Sequence, residues 1–214
     1  MAKSGSLFDL DGVLIDSERE YTRIWTEINN KYPSGKADLP YIIKGQTLSK
    51  ILSDNYPDPE EMRQVSDELH RLEREMKYSY CPSARDFLVS LQSRGLKIAI
   101  VTSSDEVKMA HLYKDVPDLR NFPEIIIDAS MVVKSKPHPE GYLKGARELG
   151  VDIQNCAVFE DSVQGVKAGK AAGAYVIGIT GTKKREELEP YSDIVIDSMD
   201  EIEIEKLEDF LKRR

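Results

Sequence analysis

Apolar positions along the chain fall into two textures. Short runs that are apolar almost throughout occur at Ser6–Leu10, Leu96–Thr102, Glu124–Ile127, Ala157–Phe159, Tyr175–Ile179 and Ile194–Ile196. Most are followed by segments of helical length, at Ala84–Ser93, Glu106–Tyr113, Glu140–Leu149, Val163–Ala172 and Glu201–Leu211. A strand with one wet face alternates apolar and polar residues, whereas one covered on both faces is apolar throughout. The runs therefore predict a parallel sheet with helices on both sides. Alternating strands and helices make the predicted class α/β, built from βαβ units.

The stretch from Ile15 to Tyr80 breaks this rhythm, with no convincing strand. In Glu60–Tyr80 the apolar residues Met62, Val65, Leu69, Leu72 and Met76 are spaced 3, 4, 3 and 4, the period of one helix face. The opposite face carries Glu61, Arg63, Asp67, Glu68, Arg71, Glu73 and Glu75, read as a solvated face with pairs such as Asp67/Arg71. Pro33–Gly35 and Pro57–Pro59 separate the helices. Residues 16–80 are thus expected as a small helical insert, with 1–15 and 81–214 forming the sheet domain.

Composition narrows the partners. The 214 residues are 40% hydrophobic, enough for a packed core, and 30 basic against 38 acidic residues leave a net charge of −8. An acid surplus argues against nucleic acid or an anionic membrane as partner. Cys81 and Cys156 are isolated, and His70, His111 and His138 do not cluster, so neither a disulfide framework nor a zinc site is expected. No apolar run approaches the ~20 residues that span a bilayer. A cytoplasmic protein is expected, of unspecified oligomeric state and compatible with a monomer.

Chemistry concentrates where the predicted strands end. Leu7-Phe8 runs into Asp9-Leu10-Asp11-Gly12, two carboxylates one residue apart and then a glycine. Such a turn can hold a hard cation and leave a carboxylate free as nucleophile or base, and open α/β sheets place their sites at these carboxyl ends. The second run ends in Thr102-Ser103-Ser104, hydroxyls and backbone N–H groups that suit an anion or simply cap a helix. Lys136 stands before Pro137 and Pro139 at a helix start, and Val158-Phe159 ends in Glu160-Asp161-Ser162. Each feature alone has an ordinary structural role. Together they supply one cation site beside one phosphate site.

With these segments in place, the sequence resembles the haloacid dehalogenase-like hydrolase superfamily, in its β-phosphoglucomutase-like phosphatase branch. LFDLDGVLIDSE, IVTSS, KSKPHP and VFEDSVQGVKAGKAAG match the family's four motifs in order across residues 6 to about 180. The resemblance implies a Rossmann-like core with the insert as a cap domain, and Mg2+-dependent hydrolysis of a small phosphorylated metabolite, a sugar phosphate being expected. It implies Asp9 as a nucleophile forming an aspartyl-phosphate, Asp11 as general acid/base, and Thr102 and Lys136 holding the phosphoryl group. Asp9, Asp11, Glu160 and Asp161 are implied around the metal, and Leu10, Gly12, Ser103 and Ser104 beside the substrate. Lys44, Gly45 and Gln46 match the cap loop that selects substrate, although a plain glycine turn would look the same. The linkers are expected near Val13–Asp16 and Tyr80–Ser83.

Asp11 favours phosphate chemistry over dehalogenation, since a leaving halide needs no proton. A β-phosphoglucomutase-like mutase shares Asp16, Ser17 and Trp25 but has a histidine where Tyr21 stands. It also has an arginine where Leu48 stands, and no arginine occurs from Lys44 to Leu52. A phosphatase is the expected activity, with the mutase and an inorganic pyrophosphatase as alternatives. A non-catalytic phosphate-binding module would need neither the insert nor the VFEDS pair.

Overall fold

In the computed structural model, which describes residues 4–213, the chain opens with β1 (Gly5–Phe8) and passes directly into helices. These are α1 (Glu18–Lys31), α2 (Leu39–Ile42), α3 (Leu48–Asn55) and α4 (Pro59–Glu73). The chain then alternates: α5 (Ala84–Ser93), β2 (Lys97–Val101), α6 (Glu106–Asp115), β3 (Ile125–Ile127), α7 (Glu140–Leu149) and β4 (Cys156–Glu160). It finishes with α8 (Val163–Ala172), β5 (Tyr175–Ile179), α9 (Arg185–Leu188), β6 (Ile194–Ile196) and α10 (Ile204–Leu211).

The strands form one six-stranded sheet in the order β3-β2-β1-β4-β5-β6, every pairing parallel. The apolar strand texture has its reason here: β1 is buried at all four positions and β4 at all five. Successive residues serve opposite faces. Phe8 stacks on its register partner Phe159 with centroids 4.5 Å apart, and Phe87 of α5 meets both rings edge-on. Leu7 and Val158 point the other way, into a second apolar cluster with Tyr142 of α7 and Val166 of α8. The chain order reverses between β1 and β4, and a crevice at the carboxyl ends of strands is expected at such a switch.

The first cluster continues from Phe8 through Val13 and Leu14 into Ile24, Trp25 and Ile28 of α1 and Val65, Leu69 and Leu72 of α4. The two linkers run side by side: Ile15 and Tyr80 form an antiparallel bridge, and Asp16 N donates to Ser79 O (2.9 Å) and Cys81 N to Leu14 O (2.8 Å).

Three local expectations are corrected. The long helix ends at Glu73, not near Tyr80. Met76 keeps the helical spacing and is buried, but Tyr78 N already donates to Asp115 Oδ2 of α6 (3.1 Å), which holds an extended return. Arg71 pairs with Glu68 and Glu75, while Asp67 pairs with Arg63, because several acids lie within reach of each arginine on this exposed face. The last helix starts at Ile204, because the Glu201 side chain turns back to accept from Asp197 N and Ser198 N.

Candidate active site

Asp9 leaves β1 at the switch point, its N–H donating to Phe159 O (3.0 Å), and is buried. Lys136, from the loop before α7, forms an ion pair with Asp9, lies 2.5 Å from Glu160 Oε1, and donates to Val101 O (3.3 Å). A lysine can be buried this deeply only because two carboxylates and a carbonyl replace its water. Burial pushes the Asp9 carboxyl up to about 7 against the pull of Lys136, with Glu160 and Asp11 adding to the rise. Burial opposes the Lys136 charge, but Asp9 and Glu160 outweigh it and hold the ammonium above its ordinary value.

Glu160 is saturated by protein donors. Its Oε1 accepts from Lys136 and from the Tyr142 hydroxyl (2.6 Å), and its Oε2 from the N–H groups of Asp161 and Ser162 and from Ser162 Oγ (3.1 Å). Ser162 Oγ also accepts from Gly165 N and so caps α8. Asp161 is different: its Oδ2 is buried without a hydrogen-bond partner. Burial first, then the charges of Glu18, Asp9 and Glu160, push its carboxyl well above the ordinary range. Oxygens of Asp9, Glu160 and Asp161 lie within 4.8 Å of one another. Three hard oxygen donors, one of them orphaned, fit a small divalent cation. Gly12 makes room for this cluster: its φ is +77°, and a Cβ there would lie 2.0 Å from Asp161 Oδ2.

The Asp11 carboxylate accepts from Ser17 Oγ, from Ser104 Oγ (3.0 Å) and from Lys108 Nζ at 2.5 Å. Burial would raise its pKa, but Lys108, then Ser17 and Ser104, hold it below the ordinary carboxylate value. Lys108 also lies 4.1 Å over the Tyr21 ring, whose hydroxyl donates to Glu73 Oε1 (2.6 Å). Sequence reasoning missed Lys108, Ser17 and Glu73 as parts of this site. Lys108 had a signal: a lysine in the first turn of a helix opposes the helix dipole and calls for a carboxylate nearby.

Asp105, not a hydroxyl of Thr102–Ser104, caps α6 by accepting from Lys108 N (3.0 Å). That leaves Thr102 Oγ1 accepting from Ser104 N, and Ser103 Oγ donating to Gly45 O (2.9 Å). The Lys44-Gly45-Gln46 loop therefore rests on the strand ends. Gly45 has φ +80°, and a Cβ there would come within 2.7 Å of Ser162 Oγ. Lys44 is paired with Glu18, and Gln46 Nε2 donates to Ile42 O (3.1 Å).

A cavity of about 110 Å3 lies between the helical insert and the strand ends. Asp9, Asp11, Asp161, Ser103, Ser104, Lys44, Gly45 and Gln46 all line it. Thr102 and Lys136 line a separate recess with Tyr142, which Ser103 also borders. Glu160 lies among Asp9, Lys136 and Asp161 rather than on the cavity wall. Leu10 is fully buried in the apolar core, so its side chain is turned from any ligand, and Gly12 packs on Asp161.

The chain is similar to known proteins in sequence and in fold. A family model described as haloacid dehalogenase-like hydrolase matches residues 5–173. Hexitol phosphatase A of Escherichia coli is 30% identical over 213 residues, covering 96% of each chain. The crystal structure of a HAD hydrolase, family IA, variant 3, from Entamoeba histolytica superposes with a TM-score of 0.83 at 27% identity, covering 98% of this chain and 99% of that one. A β-phosphoglucomutase from Clostridium difficile shares the fold with a TM-score of 0.81 at 23% identity, covering 99% and 98%.

Proposed function

This chain belongs to the haloacid dehalogenase-like hydrolases, among their phosphatases, and we propose that it is a Mg2+-dependent phosphomonoesterase that uses Asp9 as nucleophile on a small phosphorylated metabolite such as a sugar phosphate. The observation that carries this reading is the buried Asp9–Lys136–Glu160 chain beside the orphaned Asp161 oxygen. Residues 16–80 act as the cap over a core of 1–15 and 81–214. No helix among the described residues is long and apolar enough to cross a membrane.

In this reading an Asp9 oxygen attacks phosphorus in line with the ester oxygen, and the P–O bond to the alcohol breaks as the Asp9–phosphorus bond forms. To act as the acid, Asp11 must first take up a proton against the hold of Lys108, Ser17 and Ser104; it passes that proton to the departing oxygen, and the restored carboxylate takes one from the water that cleaves the aspartyl-phosphate. Thr102 and Lys136 hold the phosphoryl oxygens. Lys136, fixed by Glu160 and Tyr142, cancels charge that would repel a phosphate dianion from Asp9. Asp9, Asp161 and the Asp11 carbonyl, with Glu160 at the side, would hold the Mg2+, which supplies positive charge to the phosphoryl oxygens when bound.

A mutase must grip a second phosphate. The cavity lining includes no arginine, and its two lysines, Lys44 and Lys108, are already paired with Glu18 and Asp11. The test is product analysis with β-glucose 1-phosphate, sugar phosphates and pyrophosphate, with Mg2+ and with chelator. Free phosphate and dephosphorylated sugar, lost on chelation, support the phosphatase; glucose 6-phosphate as product would make it a mutase.

A further inference from the structure

The cap side of the cavity holds a polar atom that the chemistry above leaves unused. Glu73 ends α4 at 4% exposure and lines the cavity beside Tyr21 and Lys108. Its Oε1 accepts from the Tyr21 hydroxyl at 2.6 Å, which fixes the carboxylate plane. Its Oε2 is buried with no hydrogen-bond partner, a costly arrangement unless a ligand supplies the donor. Building on the phosphatase reading, we propose that Glu73 is a specificity residue whose Oε2 accepts a hydrogen bond from a hydroxyl of the leaving alcohol, selecting monophosphate esters of small neutral polyols.

Two features choose a neutral ligand over a charged one. Burial pushes the Glu73 carboxyl above its ordinary value against the pull of the neighbouring Lys108 ammonium, so a cationic leaving group would meet a like charge beside its partner. A second phosphate would face Glu73 and Asp105, while both lining lysines are committed to Glu18 and Asp11. The remaining wall, with Trp25, Pro40, Ile43, Leu48, Ile51 and Leu69, offers hydrocarbon to a carbon skeleton. A site that hydrogen-bonds a hydroxyl rejects the analogue lacking it, because its own polar group is then left unpaired.

The experiment compares kcat and KM for alditol monophosphates of three to six carbons with alkyl phosphates of the same length, in Mg2+, for wild type, Glu73→Leu and Glu73→Gln. The wild-type enzyme is expected to favour the hydroxylated ester by about 10- to 100-fold in kcat/KM at its preferred length, chiefly through KM. Glu73→Leu should bring that ratio to about one. Glu73→Gln keeps the shape, covers the case where the leucine variant does not fold, and should lower the ratio severalfold. Alditol bisphosphates should be at least about tenfold poorer than monophosphates in the wild type. A wild-type ratio near one, or a ratio that survives both substitutions, overturns the role of Glu73. Wild-type turnover of 4-nitrophenyl phosphate separates the two failures: turnover without alditol preference sinks the Glu73 proposal alone, and no turnover of any ester sinks the phosphatase reading beneath it.

Discussion

The Lys108 ammonium lies 2.5 Å from Asp11 Oδ2, joining residues 97 positions apart from β1's exit and α6's first turn. Lys108 is buried and Asp11 half-buried at the cavity edge, where Ser17 and Ser104 also donate to its carboxylate. This pair holds the carboxylate assigned to proton transfer at a fixed place beside Asp9.

Lys108→Met should therefore lower kcat by about 10- to 100-fold, because Asp11 loses its main anchor. Folding stability should fall by about 1–3 kcal/mol, less than for a fully buried pair because Asp11 keeps its Ser17 and Ser104 donors and partial exposure. Steady-state kinetics and urea unfolding check the two parts. Unchanged kcat would remove Lys108 from the site's working parts.

Gly12→Ala places a Cβ 2.0 Å from Asp161 Oδ2, in a backbone conformation with φ +77°. The carboxylate must move, so the apparent Mg2+ requirement in the phosphatase assay should rise at least about tenfold. A left-handed conformation adds about 1–2 kcal/mol of destabilisation for a residue with a Cβ. Mg2+ titration of activity and thermal unfolding measure both effects.

Burial, with Asp16 and Asp161 adding to it, pushes the Cys81 thiol from 9.0 up to about 12, and burial with Asp152 does the same for Cys156. At pH 8 about one thiol in ten thousand would then be ionised. Iodoacetamide should modify the folded protein at least about a hundredfold more slowly than the urea-unfolded chain. A thiol pKa raised by folding stabilises the native state fully below about 9, and that contribution is lost as pH rises from about 9 to 12. Fast alkylation of the buried Cys156 at pH 8 would contradict its burial, and fast alkylation of the half-buried Cys81 would contradict its raised pKa.

The sheet was legible because β1, β2 and β4 are covered on both faces and so must be apolar at nearly every position. The meeting of Asp9, Asp11 and Asp161 around one cavity was legible because the sheet's topology gathers strand ends, whereas Thr102, at the end of β2, borders a separate recess. The helical insert was read less well. Met76 stays buried at helical spacing after α4 has ended, so the apolar period alone ran past the true boundary at Glu73. Glu73 itself looked like one more acid on a solvated face, since its burial depends on Tyr21, 52 residues away. Lys108 was passed over for the same reason: its partner is distant in sequence, and only its unfavourable place in a helix's first turn pointed inward. The saturation of Glu160 by Lys136, Tyr142 and Ser162 likewise exists only in three dimensions.

The central claim is that the Asp9 carboxylate performs the attack. Phosphate release from a sugar phosphate should be measured with Mg2+ for wild type and Asp9→Asn side by side. Release by the wild type with a loss of at least about a thousandfold in the variant, whose amide cannot form the aspartyl-phosphate, is the predicted result. An Asp9→Asn protein that releases phosphate at the wild-type rate would contradict it.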